Sequence, residues 1–521
     1  MPGFRLHVKP ARGMYNHRSP LRGASRRQST SGASAATMPE QPQAARVVVL
    51  APMPAEKSAY ALARYSRSAD SVAQSLEWVA EHDSGKFLDS FYFQYGHASI
   101  ADLGHCIFCF EGISEIAAIE IADEQLWDGQ AKSSRYQDFS KGRIILPDEL
   151  IGSSAEPVYR SAASALLDEY RQLHSAIREH LAEVHPKPAD MRPGAYRRTI
   201  DARAYDVTRY MLVTGISTNI GQITSIRTLE KQMRRMGVSE YAEVRSLAAE
   251  MHAACAAPAS CSLDASAPED PVAPTLAKYA DPDVARSGAI ERVAEWARQN
   301  FDPGGFDQPA DVDLVRPADP LDEMAATWLY AVTDYPFRAI LEAVSGWNRA
   351  RRMEVLETAL QGRNRRDELM LPFRSGYQYV FDIVCDIGAY RDLHRHRRCQ
   401  QVHQRLGDSL GCERPALLDE AGVGDRYDKA LAATAEARAT VGEVSDPASN
   451  YLLPFATRCR SLFKMDFAEA EYIARVRSGV KGHSSYRKVA WEMRQRILEV
   501  EPDLGRLIQA TPPWEEDALT R

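Results

Sequence analysis

The chain runs twice through one order of elements. Each half shows a short apolar strand, a short helix, a polar or basic turn, a long helix and then two or three further helices. In the first half the strand is Cys106–Phe110, and Gly112 opens a helix to about Ala122. The long helix is Glu156–Val184, with Ala163, Leu166, Leu167, Tyr170, Leu173, Ile177 and Leu181 as its apolar stripe. In the second half Tyr377–Cys385 alternates like a strand, Asp386–Arg398 reads as a helix, and Tyr427–Val441 is the long helix. Further helix patterns fall near 203–214, 220–235 and 239–255, and again near 450–463, 466–477 and 484–499. In a chain of 521 residues, where a domain takes about 150, such a recurrence reads as an internal duplication. Identity between the halves is low, so element order carries this reading.

Between the halves, residues 256–285 hold Pro258, Pro268, Pro271, Pro274 and Pro282 among Ala, Ser and Asp, the chemistry of a linker. Asp302–Pro320 reads as a second loop, and helix patterns lie near 287–300, 321–345 and 347–361. Trp328, Tyr330, Tyr335, Phe337 and Trp347 there read as core, not as a cofactor stack. Ahead of the first repeat, Val47–Leu50 reads as a buried strand, and Ala55–Ser66 and Ser71–His82 as helices. Val72, Leu76, Trp78, Val79 and Ala80 form the apolar side of the second. The expected division is 1–45 as a basic tail or transit peptide, 46–255 as the first copy, 256–370 as linker and helical connector, 371–505 as the second copy, and 506–521 as a tail.

Residues 1–45 carry no acid before Glu40, while Arg5, Arg12, Arg18, Arg22, Arg26 and Arg27 are basic. That is the composition of an organelle transit peptide. A disordered basic tail, or a true start at Met38, fits equally. The expected location is therefore the cytoplasm, or a mitochondrion or plastid if this segment is a transit peptide. With 45% hydrophobic and 26% charged residues the composition is that of a globular protein. No run approaches the roughly 20 apolar residues of a membrane span. A formal net charge of −7 gives no general attraction to nucleic acid. The eight cysteines are too thinly spread for a disulfide scaffold. Cys106 and Cys109 form a CxxC, but positions three apart on a strand face opposite ways, which favours packing over redox chemistry.

The most unusual local sequence is Arg391–Arg405, with Arg391, Arg395, Arg397, Arg398, Arg405, His394, His396 and His403. Cations this dense repel one another unless an anion sits among them. The apolar strand just before them holds their base, which argues for a pocket. A guanidinium is flat, permanently charged and able to donate two parallel hydrogen bonds, so a phosphate-bearing ligand with a planar ring is the natural guest. Three alternatives stand beside this: a solvated basic helix face, an Arg-rich RNA-binding helix, and zinc held by His396, Cys399 and His403 at i, i+3 and i+7. The interleaved guanidiniums would repel a cation, so no metal is expected. In the first half Ser133-Ser134-Arg135-Tyr136 offers hydroxyls, backbone N–H groups and a guanidinium, a reasonable phosphate clamp or an ordinary helix stop. Glu120, Asp123, Glu124 and Asp128 stand where the second half has its cations, either as a solvated face or as partners of the other half's basic cluster.

The run from Tyr95-Gly96-His97-Ala98-Ser99 through Glu111-Gly112-Ile113-Ser114 to Ser133-Ser134-Arg135-Tyr136 resembles the flavin-dependent thymidylate synthases. That family shows Gly-His-x-Ser/Thr, a Phe-rich strand with Glu-Gly-Ile-Ser, an Arg-His-Arg triplet, a Ser seven residues on, and Arg-Tyr. Ala63-Arg64-Tyr65-Ser66 is similar to the family's Ala-Arg-Val-Ser, and Arg395-His396-Arg397 to its triplet. Neither half is complete. The first has Asp123, Glu124 and Gln125 at the triplet; the second has Arg405 at the family Ser and lacks Gly-His-x-Ser. The family acid between triplet and Ser is Ala131 in one half and His403 in the other.

The resemblance implies an α+β, helix-rich fold in two diverged copies joined by a linker. It implies FAD as cofactor, NADPH as reductant, and methyl transfer from methylene-tetrahydrofolate to dUMP, giving dTMP. The alternative is a non-catalytic or altered relative that binds a flavin or nucleotide. By the same resemblance Arg395, His396, Arg397, His97 and Ser99 bind the cofactor. Ser133, Arg135, Arg209 and Arg391 bind the nucleotide by that resemblance, and Arg477 contacts the uracil ring as the catalytic arginine. Family members are homotetramers with sites between subunits. One pocket between unlike halves, in a homodimer imitating that tetramer, is therefore expected.

Overall fold

The structure is a computed structural model and describes residues 53–66, 72–88, 98–260, 270–275, 277–364, 367–517 and 519. The basic segment 1–45, the expected strand Val47–Leu50 and His97 lie outside them. The first described elements are α1 (Ala55–Tyr65), α2 (Val72–Glu81) and α3 (Ser84–Leu88). On α2 only Ser75 and Val79 are buried. Trp78, expected on the apolar side, is exposed, with its Nε1 donating to Tyr60 and its ring stacked on His82.

Strand β1 (His105–Ser114) runs past Gly112, where a helix was expected. Gly112 has φ 67° and lies in a bulge between Glu111 and Ile113, a conformation open to glycine. Helix α4 (Glu115–Ala122) begins only at the cap Ser114, whose hydroxyl accepts from Ala117 N. Then follow β2 (Asp128–Ala131), α5 (Glu156–Val184) and α6 (Pro193–Thr208). All seven stripe residues of α5 are buried, as its 3.6-residue spacing requires. The helix expected near 220–235 is in fact β3 (Ser217–Ser225), then α7 (Ile226–Met236). Ile220 and Gln222 face inward while Asn219 and Ile223 face out, a period of two that overrides the helical reading. Helix α8 (Ala242–Cys255) closes the copy. The sheet is antiparallel in the order β1-β3-β2.

The connector holds α9 (Val284–Asn300), β4 (Val312–Val315), α10 (Pro320–Val332), α11 (Phe337–Ser345) and α12 (Arg349–Leu360). β4 lies in the stretch expected to be loop; it pairs with the edge of the second sheet, and all four of its residues are buried. The second copy comprises β5 (Tyr379–Asp386), α13 (Ile387–Leu393), β6 (Gln400–His403), α14 (Leu417–Glu420), α15 (Gly424–Gly442), α16 (Asp446–Ser449), β7 (Arg458–Met465), α17 (Phe467–Arg477) and α18 (Ser484–Val500), followed by α19 (Pro502–Gly505). The helix expected over 386–398 stops at Leu393, and that expected over 450–463 is a 3-10 turn (Asn450–Leu452), a loop and the start of β7. The sheet order is β4-β5-β7-β6.

The duplication is visible in the register. Ser114 caps α4 and Asp386 caps α13. The next strand starts fourteen residues later in both, at Asp128 and Gln400. Asp128 pairs with Ile223, two residues before the cap Ser225; Gln400 pairs with Lys464, two before the cap Asp466. A pseudo-twofold axis passes by Val213 and Pro454, which face each other in an isolated bridge. About it run matched hydrogen bonds: Thr214 N to Leu453 O (2.9 Å) with Phe455 N to Leu212 O (2.8 Å), and Gly215 N to Tyr451 O (2.8 Å) with Ala456 N to Tyr210 O (3.3 Å). Residues 53–521 form one compact unit. The copies differ at their outer faces. Trp328, Tyr330 and Phe337 of the connector are buried against Val380, Val402 and Leu462 of the second sheet, whereas Ile107 (74%) and Ile223 (43%) on the first are exposed. Among the described residues no helix is long and apolar enough to cross a membrane.

Candidate active site

A cleft of about 1230 Å³ opens between the copies. Its first-copy wall comes from Asp102 and His105, from Gln125–Asp128 leading into β2, and from Ile223–Ser225 at the end of β3. The second-copy wall is Arg395–Arg398 and the side of α17 from Ala468 to Arg477. The basic triplet sits here on a braced turn, not on a helix face. His396 N donates to Leu393 O at 3.0 Å, and Gln401 Nε2 reaches back from β6 to His396 O (2.9 Å) and His394 O (3.3 Å). The Cys399 thiol donates to His396 O. His396, Cys399 and His403 therefore share no helical face. Among the described residues no cluster of His, Cys, Asp or Glu could hold a metal.

The expectation that the cations need a ligand anion is corrected in part, because carboxylates of the first copy neutralise several. Arg391 is buried 2.8 Å from Glu115, with its guanidinium 4.9 Å from the Phe455 ring. Arg397 meets Asp128 at 2.9 Å and lies over Trp127 at 4.9 Å. Arg405 is bound to Glu240 and Asp446. Arg398 meets Asp466 at 3.3 Å, both exposed. Arg395, 37% exposed, is paired more loosely, with Asp392 at 3.7 Å. Of the four first-copy acids weighed as partners, Asp128 takes Arg397. Glu120 and Glu124 instead hold Arg235 of their own copy, each at 3.0 Å. Asp123 stands 3.9 Å from both Arg235 and His394.

Arg477 Nε donates to His396 Nε2 at 2.7 Å, so this ring nitrogen is unprotonated. Burial holds the His396 pKa below the ordinary value, against the pull of Glu469.

The other expected substrate residues lie behind the triplet and do not line the cleft. Arg135 is buried and engaged: Nε to Asp206 (2.8 Å), Nη1 to Tyr486 (2.6 Å), Nη2 to Lys481 O (3.0 Å). Ser133 Oγ accepts from Arg135 N at 3.3 Å. Arg391 Nη1 meets Ser134 at 3.3 Å. Arg209 is fully buried; Nη1 meets Asp392 at 3.2 Å, while Nε and Nη2 have no hydrogen-bond partner. Gly388 makes room for it, since a Cβ there would lie 3.2 Å from Arg209 Nε and Cζ. Ser99 is exposed and off the cleft. Sequence reasoning missed Trp127, Glu469, Tyr472 and Arg475. Three of them, Glu469, Tyr472 and Arg475, follow one another at three-residue steps along one side of α17, and that spacing was the available signal.

The pseudo-twofold axis relates this cleft to a counterpart that is filled. Asp123, Glu124 and Gln125 replace the triplet there. The α7 positions matching the cleft wall of α17 carry Arg227, Lys231 and Arg234, tied to Glu368 or Asp367 of the connector at 3.3, 2.7 and 3.5 Å. Arg235 fills the remainder, between Glu120 and Glu124.

The sequence profile of a family described as thymidylate synthase complementing protein matches residues 48–259 and 375–503. A UPF0159 protein of Chlamydia muridarum is 23% identical over 436 residues, covering 80% of this chain and 81% of that protein. A UPF0159 protein of Thermoplasma acidophilum is 23% identical over 486 residues, covering 86% and 94%. Among solved structures, a flavin-dependent thymidylate synthase of Helicobacter pylori complexed with FAD and dUMP is similar at 13% identity and a TM-score of 0.22. That match covers 39% of this chain and 89% of the other.

Proposed function

The chain belongs to the thymidylate synthase complementing protein family, and on that premise we propose that it is an FAD-binding thymidylate synthase: a methyltransferase that converts dUMP to dTMP with methylene-tetrahydrofolate. The reductant in this reading is NADPH. The observation that carries it is the shared cleft, with the triplet on one wall and first-copy residues on the other.

The residues present fit such a ligand set. The cleft exceeds the roughly 300–1,000 Å³ of a drug-sized site. Arg395 is only loosely paired, and Tyr472 offers an exposed ring in the cleft wall. Arg395 and Arg397 bind and orient the cofactor, Arg397 by sharing its exposed partner Asp128. His396 packs on the cofactor's ring. Arg477 polarises the pyrimidine, and Arg209 and Arg391 serve the nucleotide phosphate, with Ser133 and Arg135 bracing that side. Ser99 and His97 belong to the cofactor side by resemblance. The flavin would supply the redox chemistry; the chain supplies binding, orientation and charge. Two chains pair as a homodimer in this reading, which would cover Ile107 and Ile223. The copies are taken as 46–255 and 371–505.

One observation favours a second reading, a flavin or nucleotide binder with altered or no synthase activity. Arg405 stands in place of the family Ser and is locked by Glu240 and Asp446. Purified protein with flavin absorbance that rescues a thymidine auxotroph supports the synthase. Flavin without rescue, or protein that stays colourless with added FAD yet binds dUMP, supports the second reading; protein that binds neither removes both.

A further inference from the structure

The residue beneath the triplet is Glu469. It is buried in the cleft wall on the first turn of α17, its backbone N–H held by the cap Asp466 at 2.9 Å. Its Oε1 lies 3.6 Å from His396 Nδ1, and the opposite ring nitrogen accepts from Arg477. An imidazole that accepts at Nε2 carries its proton at Nδ1, and a carboxylate facing Nδ1 favours that tautomer. The charged and titratable groups around the ring are Glu469, Arg477 and Arg397, with Tyr472 edge-on at 5.7 Å. Arg397 is itself held by Asp128 from the facing strand.

We propose that Glu469 is a positioning residue: it fixes His396 as the Nδ1–H tautomer, so that Nε2 holds Arg477 by its Nε and leaves the terminal N–H groups of that guanidinium for the substrate. The role rests on the reading of Arg477 as the pyrimidine-facing arginine. Protonation of His396 would set an N–H against an N–H and release Arg477. In that event the arginine loses its aim without losing its charge.

The test uses full-length protein with nitrogen-labelled histidine, as wild type, Glu469→Gln and Glu469→Leu. Long-range proton–nitrogen spectra read the His396 tautomer, and titration reads dUMP affinity against pH. The wild type should show the Nδ1–H form. The amide carbonyl of Glu469→Gln should preserve it, and Glu469→Leu should give mixed tautomers and on the order of tenfold weaker dUMP binding, about one lost hydrogen bond. Wild-type affinity should hold through the ordinary histidine value of about 6.5 and fall only at lower pH, where the buried His396 takes up its proton. An Nε2–H ring in the wild type, or an unchanged tautomer or dUMP affinity in Glu469→Leu, overturns the proposal. Failure of the flavin reading would show separately, as protein that takes up no FAD while its tautomer remains measurable.

Discussion

The two clefts about the pseudo-twofold axis began as the same place and now do opposite things. One presents Arg395, His396 and Arg397 to a cavity; the other presents Asp123 and Glu124 to Arg235, with the α7 cations beside them tied to acids of the connector. The same divergence runs through the core beside the axis. Glu115 and Arg391 form a buried ion pair, and the positions that the axis relates to them are Ile387 and Ile119, both buried. A duplicated chain can keep one site and close its twin by exchanging charge for apolar or self-paired residues, while the backbone register stays intact.

The largest effect expected from this comparison concerns that ion pair. Burial pushes the Glu115 carboxyl up and the Arg391 guanidinium down, and each is held charged in part by the other. Glu115→Leu should cost about 3–5 kcal/mol in denaturant unfolding, because it strands Arg391. The double change Glu115→Ile with Arg391→Ile imitates the twin side and should recover most of that. If the double variant is no better than the single, the two sides are not interchangeable. Arg395→Ala should weaken flavin retention about 10- to 100-fold, from loss of charge-assisted hydrogen bonds. Asp123→Ala on the closed side should leave it unchanged, and equal losses would break the comparison.

A milder effect is expected from pH. His394, His396 and His483 are buried, which lowers the pKa of each in the folded chain, His483 well below the ordinary value. Below about pH 6.5 the unfolded chain takes up protons that the folded chain does not. The stability these rings contribute is therefore present above that value and lost as pH falls. Melting temperatures between pH 7.5 and 5 should drop on this side, and His483→Gln should flatten the slope. The smallest effect belongs to the rim of the closed cleft: Lys231→Ala should change stability by under about 1 kcal/mol, as a partly exposed pair does.

Much of the fold was legible in the sequence where one face of an element is buried along its whole length. Helix α5 was readable to the residue because its stripe never meets the cleft. Strand β3 was misread because Ile220 and Ile223 also suit a helix; only their pairing with β1 decides. The triplet was found by its charge, but its turn was not, since the brace from Gln401 acts across sequence that looks helical. The pairing of Glu115 with Arg391 was invisible, because no local pattern links a buried acid in one copy to an arginine in the other. The low identity between the halves hid the shared register, which is a property of backbone pairing more than of side chains.

The central claim is that one cleft per chain, and not its twin, takes the flavin. Titrating the full-length protein with FAD and counting bound flavin per chain tests it most directly. One equivalent, held more weakly in Arg395→Ala and unchanged in Asp123→Ala, is the expected result. Two equivalents, or none in protein that is folded, would contradict it.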